Sequence, residues 1–258
     1  MGIIARMIPI LMYHQIGQPA PKGTPFRGLT VHTRDFKRQM TWLHRLGYQG
    51  LSMRDLMPYL CGEREGKVVG ITFDDGYKNV FTQALPILSQ LGFTSTNYFV
   101  ARRLGEGNVW DYEKGIPHSD LMTVEEMRAW HAAGQEVGSH TLHHVHLPAL
   151  SYEIAAYEIK QSREELQDLL GAPVTAFCYP YGDENAQVRE LVAQAGYANA
   201  TTTERGLVRD NDDLFGLPRS TVARSTNIVR FLQRCLTRLE DNKRRKKEAS
   251  RTQLTKTS

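Results

Sequence analysis

Long apolar runs are missing from these 258 residues. No stretch approaches the roughly 20 consecutive apolar residues that a membrane-spanning helix needs. Cysteine is scarce. Cys61, Cys178 and Cys235 are too few and too scattered for a disulfide framework or a paired-cysteine metal site. They are expected to be three buried thiols in a reducing compartment. A strong overall charge is also lacking. The net charge is +4, but residues 241–258 alone carry +5, so the other 240 residues sum to −1. A near-neutral body without a basic face or aromatic stripe argues against nucleic-acid binding. The N-terminal MGIIARMIPILMYHQIG has a short apolar part, broken by Arg6 and Pro9, and no small-residue cleavage site. It reads as a leader into a first strand, which favours a cytoplasmic protein.

What is present is an ordinary globular balance of 41% hydrophobic and 23% charged residues. Disorder is therefore excluded as the main state. The chain repeats one grammar: an amphipathic helical stretch ends in Leu-Gly or Ala-Gly, at Gly47, Gly92, Gly134, Gly171 and Gly196. Glycine just past a helix accepts the left-handed backbone that closes it. Apolar runs at residues 8–13, 68–73, 94–100, 135–140, 174–179 and 198–202 alternate with these helices. Thr33 is expected to start one helix, and Thr123 with Glu126 forms a capping-box pattern before another. Strand–helix alternation argues a parallel sheet with helices outside. At least six such units over residues 1–240 fit a single closed α/β barrel better than two domains. Residues 101–122 and 203–225 are expected to be long loops. The basic tail, residues 241–258, is expected to be solvated and disordered. Its sharper reading is peripheral contact with anionic lipid or with a phosphorylated substrate.

Polar residues gather where the apolar runs stop, which is where barrel chemistry sits. VVGITF ends in Asp74-Asp75-Gly76, QEVGSH ends in His140, VTAFCY runs into Pro180-Tyr181-Gly182, and IPILMY ends in His14. Adjacent residues on a strand point to opposite sides, so two carboxylates at its end can diverge into separate tasks, one binding a metal and one taking a proton. Asp-Asp-Gly is equally ordinary turn chemistry. His140 and His144 lie four apart, so one helical turn would project both towards one ion; a polar His-rich loop is the plainer reading. His143 and His146 fit that facing less well and read as supporting or exposed residues. His14 is either a structural histidine or a general acid. Trp110 and Tyr112 are either packing or a sugar-stacking surface.

TFDDGY at 72–77, SHTLHH at 139–144 and FCYPYGD at 177–183, in that order, resemble the signature motifs of the polysaccharide deacetylases, the NodB-like domain of carbohydrate esterase family four. The resemblance covers roughly residues 8–225. It implies an irregular (β/α)7-type barrel in one domain. It also implies Asp74 as catalytic base, Asp75, His140 and His144 as ligands of a divalent metal, Zn²⁺ foremost, and Tyr181 as a residue whose backbone N–H holds an oxyanion. The chain departs from the common pattern at Cys178, where many members carry an arginine that orients the base. The usual late aspartate–tryptophan and Leu-x-His motifs are not evident. Met12-Tyr13-His14 matches a subgroup acting on poly-N-acetylglucosamine, which makes His14 the expected acid. Arg219, in LPRSTV, is the candidate for the missing arginine, with Arg224 competing.

The reaction this implies is hydrolysis of an acetamide on an N-acetylated glycan or glycolipid, releasing acetate and a free amino sugar. A lipid-linked or nucleotide-linked precursor is an alternative substrate. O-acetyl ester and small cyclic-amide hydrolysis are further alternatives on the same site. From a different class, an inactive glycan-binding module would show a lost base or metal ligand, and neither is lost here.

Overall fold

The computed structural model describes residues 7–255, the side chains of residues 251–255 excepted. Seven strands run parallel around a closed barrel: β1 (Ile10–Tyr13), β2 (Val68–Phe73), β3 (Thr96–Phe99), β4 (Glu136–Ser139), β5 (Ala176–Cys178), β6 (Asn199–Arg205) and β7 (Leu217–Thr221). They follow one another around the ring in sequence order. Closure comes from β1, which pairs with β7 through Ser220–Leu11 and with β2 through Leu11–Ile71. A short strand, Gln49–Leu51, shares an edge of β2 with β3.

Strands buried on both faces need apolar side chains on both. Ile10, Tyr98, Ala176, Cys178 and Leu217 pack together inside the barrel. Their neighbours Leu11, Ile71, Phe73, Phe99 and Phe177 join the larger outer core. There they meet α1 (Thr33–Arg45) through Phe36 and Leu43, α3 (Leu85–Leu91) through Leu88, α4 (Val124–Ala132) through Trp130, α5 (Tyr152–Leu170) through Ile159 and α6 (Ala186–Gln194) through Val192, while Leu56 of α2 (Met53–Leu60) packs with the inner group. Gly138 in β4 leaves room for the Tyr98 ring, which a Cβ there would strike. All five helix-closing glycines have positive φ, as the sequence grammar predicts. The Thr123–Glu126 capping box is formed in both directions.

Several expectations need correction. The first apolar run is split at Pro9, which lacks an N–H to donate. Met7–Ile8 pairs antiparallel with Val208–Arg209, and β1 starts at Ile10. Residues 1–6, most of the expected leader, lie outside the described residues. The cap of α1 is His32, whose Nδ1 accepts from the Arg34 N–H at 3.1 Å; Thr33 is already helical. Cys61 is exposed, so only Cys178 and Cys235 are buried thiols. Residues 203–225 hold β7, the strand that closes the ring, and so are not one long loop.

The tail differs most from expectation. Instead of a disordered end, the chain forms α7 (Ile228–Leu236) and then α8 (Leu239–Thr255). Ion pairs hold α8 to the segment around β6: Arg205–Glu240, Arg209–Asp241 at 2.6 Å, Arg244–Asp212 at 2.6 Å and Lys247–Glu204 at 2.9 Å. Glu240 and Asp241 are fully buried. Charge that looked like a solvated surplus in composition is thus partly spent on intramolecular pairing. Among the described residues no helix is long and apolar enough to cross a membrane.

Candidate active site

The C-terminal ends of the strands surround a cavity of about 280 Å³ whose lining includes His14, Asp74, Asp75, His140, His144 and Tyr181. Strict alternation after β2 would turn Asp75 away from Asp74's side. It does not, because Asp75 has φ 76° and Gly76 follows with φ 76°. This left-handed step brings both carboxylates to the same cavity while giving each its own partners.

Asp74 faces Arg219, a wholly buried side chain from β7. The guanidinium donates to Asp74 Oδ1 at 2.6 Å and to Oδ2 at 2.8 Å. Its remaining donors reach Thr72 Oγ1 at 3.0 Å, the Thr202 carbonyl at 2.9 Å and Cys178 Sγ at 3.1 Å. Cys178 stands at the position where the resemblance implies an arginine, and its small thiol leaves space for Arg219 to arrive from β7. Arg224, the competing candidate, is exposed. Burial alone would raise the Asp74 carboxyl, but Arg219 holds it below its usual range. His14 Nε2 lies 3.9 Å from Asp74 Oδ2, with the His14 side chain 18% exposed towards the cavity.

Asp75, His140 and His144 form the second group. Asp75 Oδ1 is 3.5 Å from His140 Nε2 and 3.2 Å from His144 Nε2, and it is buried without a hydrogen-bond donor. His140 Nδ1 donates to the Cys178 carbonyl at 2.7 Å, which turns Nε2 towards Asp75. Burial disfavours protonation of both rings. His144 ends below the usual imidazole range, while Cys178 and Asp75 carry His140 above it. Burial would raise Asp75, yet the two histidines hold it well below the carboxylate range. A buried carboxylate facing two imidazole Nε2 atoms favours positive charge between them, which a metal ion supplies in place of a proton. Ligands about 2.0–2.2 Å from a tetrahedral ion lie roughly 3.3–3.6 Å apart, so this donor set fits a divalent metal. Asp74, His140 and Cys178 also cluster, but Arg219 already occupies Asp74 and Cys178 there.

The two histidines do not share a helical turn. Thr141 and His144 have φ of 66° and 61°, so a tight turn after β4 brings the rings to 4.8 Å. His143 leaves the site and pairs with Glu158 at 2.6 Å. Trp110 stacks on His144 at 4.5 Å and 20°, so it backs this imidazole. Tyr112 is exposed and bonds His118 instead. Tyr181 follows β5 with φ 61°, and its ring meets His144 in a T-shaped contact with the ring centres 4.5 Å apart. Gly182 comes next because a Cβ there would collide with Thr203. Lys114, Phe26 and Ile116 also line the cavity and were not legible in the sequence; Lys114 ends a short 3-10 helix, and Phe26 and Ile116 stand in irregular segments, none of which a local pattern reveals.

The sequence profile described as polysaccharide deacetylase matches residues 62–200. YxkH of Bacillus subtilis (strain 168), named for the same family, is 28% identical over 218 residues, which is 84% of this chain and 71% of that protein. The poly-beta-1,6-N-acetyl-D-glucosamine N-deacetylase of Escherichia coli (strain K12) is 25% identical over 256 residues, taking in 85% of this chain but 37% of that enzyme. The chain therefore spans little more than a third of that relative. The solved structure of Streptococcus pyogenes deacetylase PplD in complex with acetate superposes with a TM-score of 0.78 at 27% identity, covering 90% of this chain and 99% of that one.

Proposed function

Because the chain belongs to the polysaccharide deacetylase family, we propose that it is a metal-dependent hydrolase removing N-acetyl groups from the N-acetylhexosamine units of a glycan. The observation that carries this reading is the separation of the two carboxylates, Asp74 bound to Arg219 and Asp75 turned to two imidazoles. Asp75, His140 and His144 would hold a divalent ion, Zn²⁺ by the chemistry of one carboxylate and two imidazoles. Such an ion supplies Lewis acidity towards water and the acyl oxygen.

The chain's own residues do the rest. Asp74, kept ionised by Arg219, accepts a proton from the attacking water. The Tyr181 backbone N–H donates to the oxygen on which charge develops. His14 protonates the departing amine as the carbon–nitrogen bond breaks, so that the amide and one water become acetate and an amino sugar. His14 and Asp74 flank the same cavity within 3.9 Å of each other, which suits a proton-donating and a proton-accepting group acting on one carbonyl. Poly-N-acetylglucosamine is the preferred polymer, since curated relatives with that name match most of this chain.

The test is acetate release from a panel of N-acetylglucosamine oligomers and polymers, with lipid-linked and nucleotide-linked N-acetyl sugars beside them, with and without chelator. Chelator-sensitive release from oligomers supports the proposal. Release from the linked precursors alone moves the substrate class, and no release from any of them overturns the reading.

A further inference from the structure

Tyr181 adopts a conformation that its side chain disfavours. A left-handed non-glycine residue persists only where its surroundings over-determine it. The surroundings here are specific. The His146 imidazole stacks flat on the Tyr181 ring at 3.8 Å and 7°. Asp183 Oδ2 accepts from His146 Nδ1 at 2.6 Å. The stacked imidazole fills one face of the ring, which leaves the other for the Lys114 ammonium, 4.4 Å from the ring centre and 3.4 Å from its hydroxyl. Thr203 Oγ1 donates to the Tyr181 carbonyl at 3.3 Å.

Core packing does not account for this assembly. The His146 and Asp183 side chains are 54% and 48% exposed. Two half-exposed side chains ordered over a tyrosine ring add little to the folded core. What they do is join two loops. His146 lies two residues beyond His144 on the turn after β4, and Asp183 lies two residues beyond Tyr181 on the turn after β5. The stack and the hydrogen bond cross between those turns twice.

We propose that His146, steadied by Asp183, is a positioning residue that fixes the Tyr181 turn against the His144 turn. It sets the gap between the backbone N–H that meets the developing oxyanion and the imidazole that faces Asp75. The inference rests on the deacetylase reading for the meaning of that gap, and the clamp itself is measurable without it.

The experiment compares the metal-loaded full chain with His146→Ala, His146→Phe and Asp183→Ala on an N-acetylglucosamine oligomer. Losing an oxyanion donor outright costs 10²–10³ in kcat, and a displaced one costs less, so His146→Ala is expected to lower kcat about tenfold. KM should change by less than about twofold, the mark of an interaction made in the transition state. His146→Phe keeps a flat ring over Tyr181 and should recover most of the loss; Asp183→Ala should fall between. The Tyr181 amide resonance of the ¹⁵N-labelled chain should move in His146→Ala and return close to its original position in His146→Phe. Unchanged kcat in His146→Ala, or His146→Phe as slow as His146→Ala, overturns the proposal. A wild-type chain that releases no acetate defeats the deacetylase reading instead, and the Tyr181 amide then decides the clamp: an unmoved resonance in His146→Ala overturns it.

Discussion

Arg219 reaches across the barrel interior from β7 and grips both oxygens of Asp74, at 2.6 and 2.8 Å, with neither side chain appreciably open to solvent. Two charges in low dielectric tolerate each other's presence far better than either tolerates solitude. Arg219→Met is therefore expected to lower unfolding free energy by about 3–5 kcal/mol, because it leaves a buried carboxylate unpaired. Denaturant unfolding measures that loss. The same substitution removes the influence that holds Asp74 below its usual range, against burial that raises it. A base acts only when ionised, so wild-type kcat/KM should fall on the acid side only below the ordinary carboxylate range, near pH 4. In Arg219→Met the acid limb should move upward. An acid limb that stays in place would show that Arg219 does not tune Asp74.

Asp75 Oδ1 is a buried oxygen without a donor, facing two imidazole nitrogens. A divalent ion that binds the folded chain alone raises its stability by mass action, by about 2.7 kcal/mol when the free ion stands at 100 times its dissociation constant. Zinc added to chelator-treated protein should therefore raise Tm, restore acetate release and appear at one ion per chain by metal analysis. Asp75→Ala should show none of the three. A full complement of metal in Asp75→Ala would remove this carboxylate from the ligand set.

Much of this site was legible because function interrupts pattern. VVGITF reads as a buried strand, and the carboxylates that follow it cannot belong to one. The helix-closing glycines at positions 92, 134, 171 and 196 marked where the next strands begin, since the left-handed residue is a local requirement. What escaped reading depends on contacts distant in sequence. Asp-Asp-Gly permits a turn, but nothing local requires Asp75 to turn left-handed or brings His146 to Asp183 across 37 positions. Composition described the last 18 residues as surplus positive charge. Their partners, Arg209 with Asp241 and Asp212 with Arg244, become visible only when β6 and α8 lie side by side.

Asp74→Asn and His14→Ala separate the two proton transfers. Each positioned acid or base contributes on the order of 10²–10⁴-fold. Either substitution should cost about that much in kcat while metal content stays at the wild-type level, because neither side chain belongs to the Asp75–His140–His144 group. His14→Ala should also suffer less on substrates with a better leaving group, such as an N-acetylated aryl amine, since such a group needs less protonation. Equal losses on good and poor leaving groups would take the acid role away from His14.

The docked C-terminal helix predicts a stability effect distinct from catalysis. Burial would raise Glu240 and Asp212, but their pairs with Arg205 and Arg244 hold both below the usual carboxylate range. A carboxyl lowered on folding stabilises the native state above its unfolded value, and that contribution disappears as pH falls through the folded value. The wild type should accordingly lose stability below about pH 4, near the ordinary carboxylate values. Deleting residues 239–258 removes the Arg205–Glu240, Arg209–Asp241 and Arg244–Asp212 pairs together. The truncated chain should melt several degrees lower at pH 7 and show a shallower decline in Tm towards pH 4. Its kcat at temperatures well below the melt should match the full chain, since none of these side chains lines the cavity at the strand ends. Should the truncated chain keep the full-length Tm and acid profile, α8 would be an appendage and its ion pairs energetically idle.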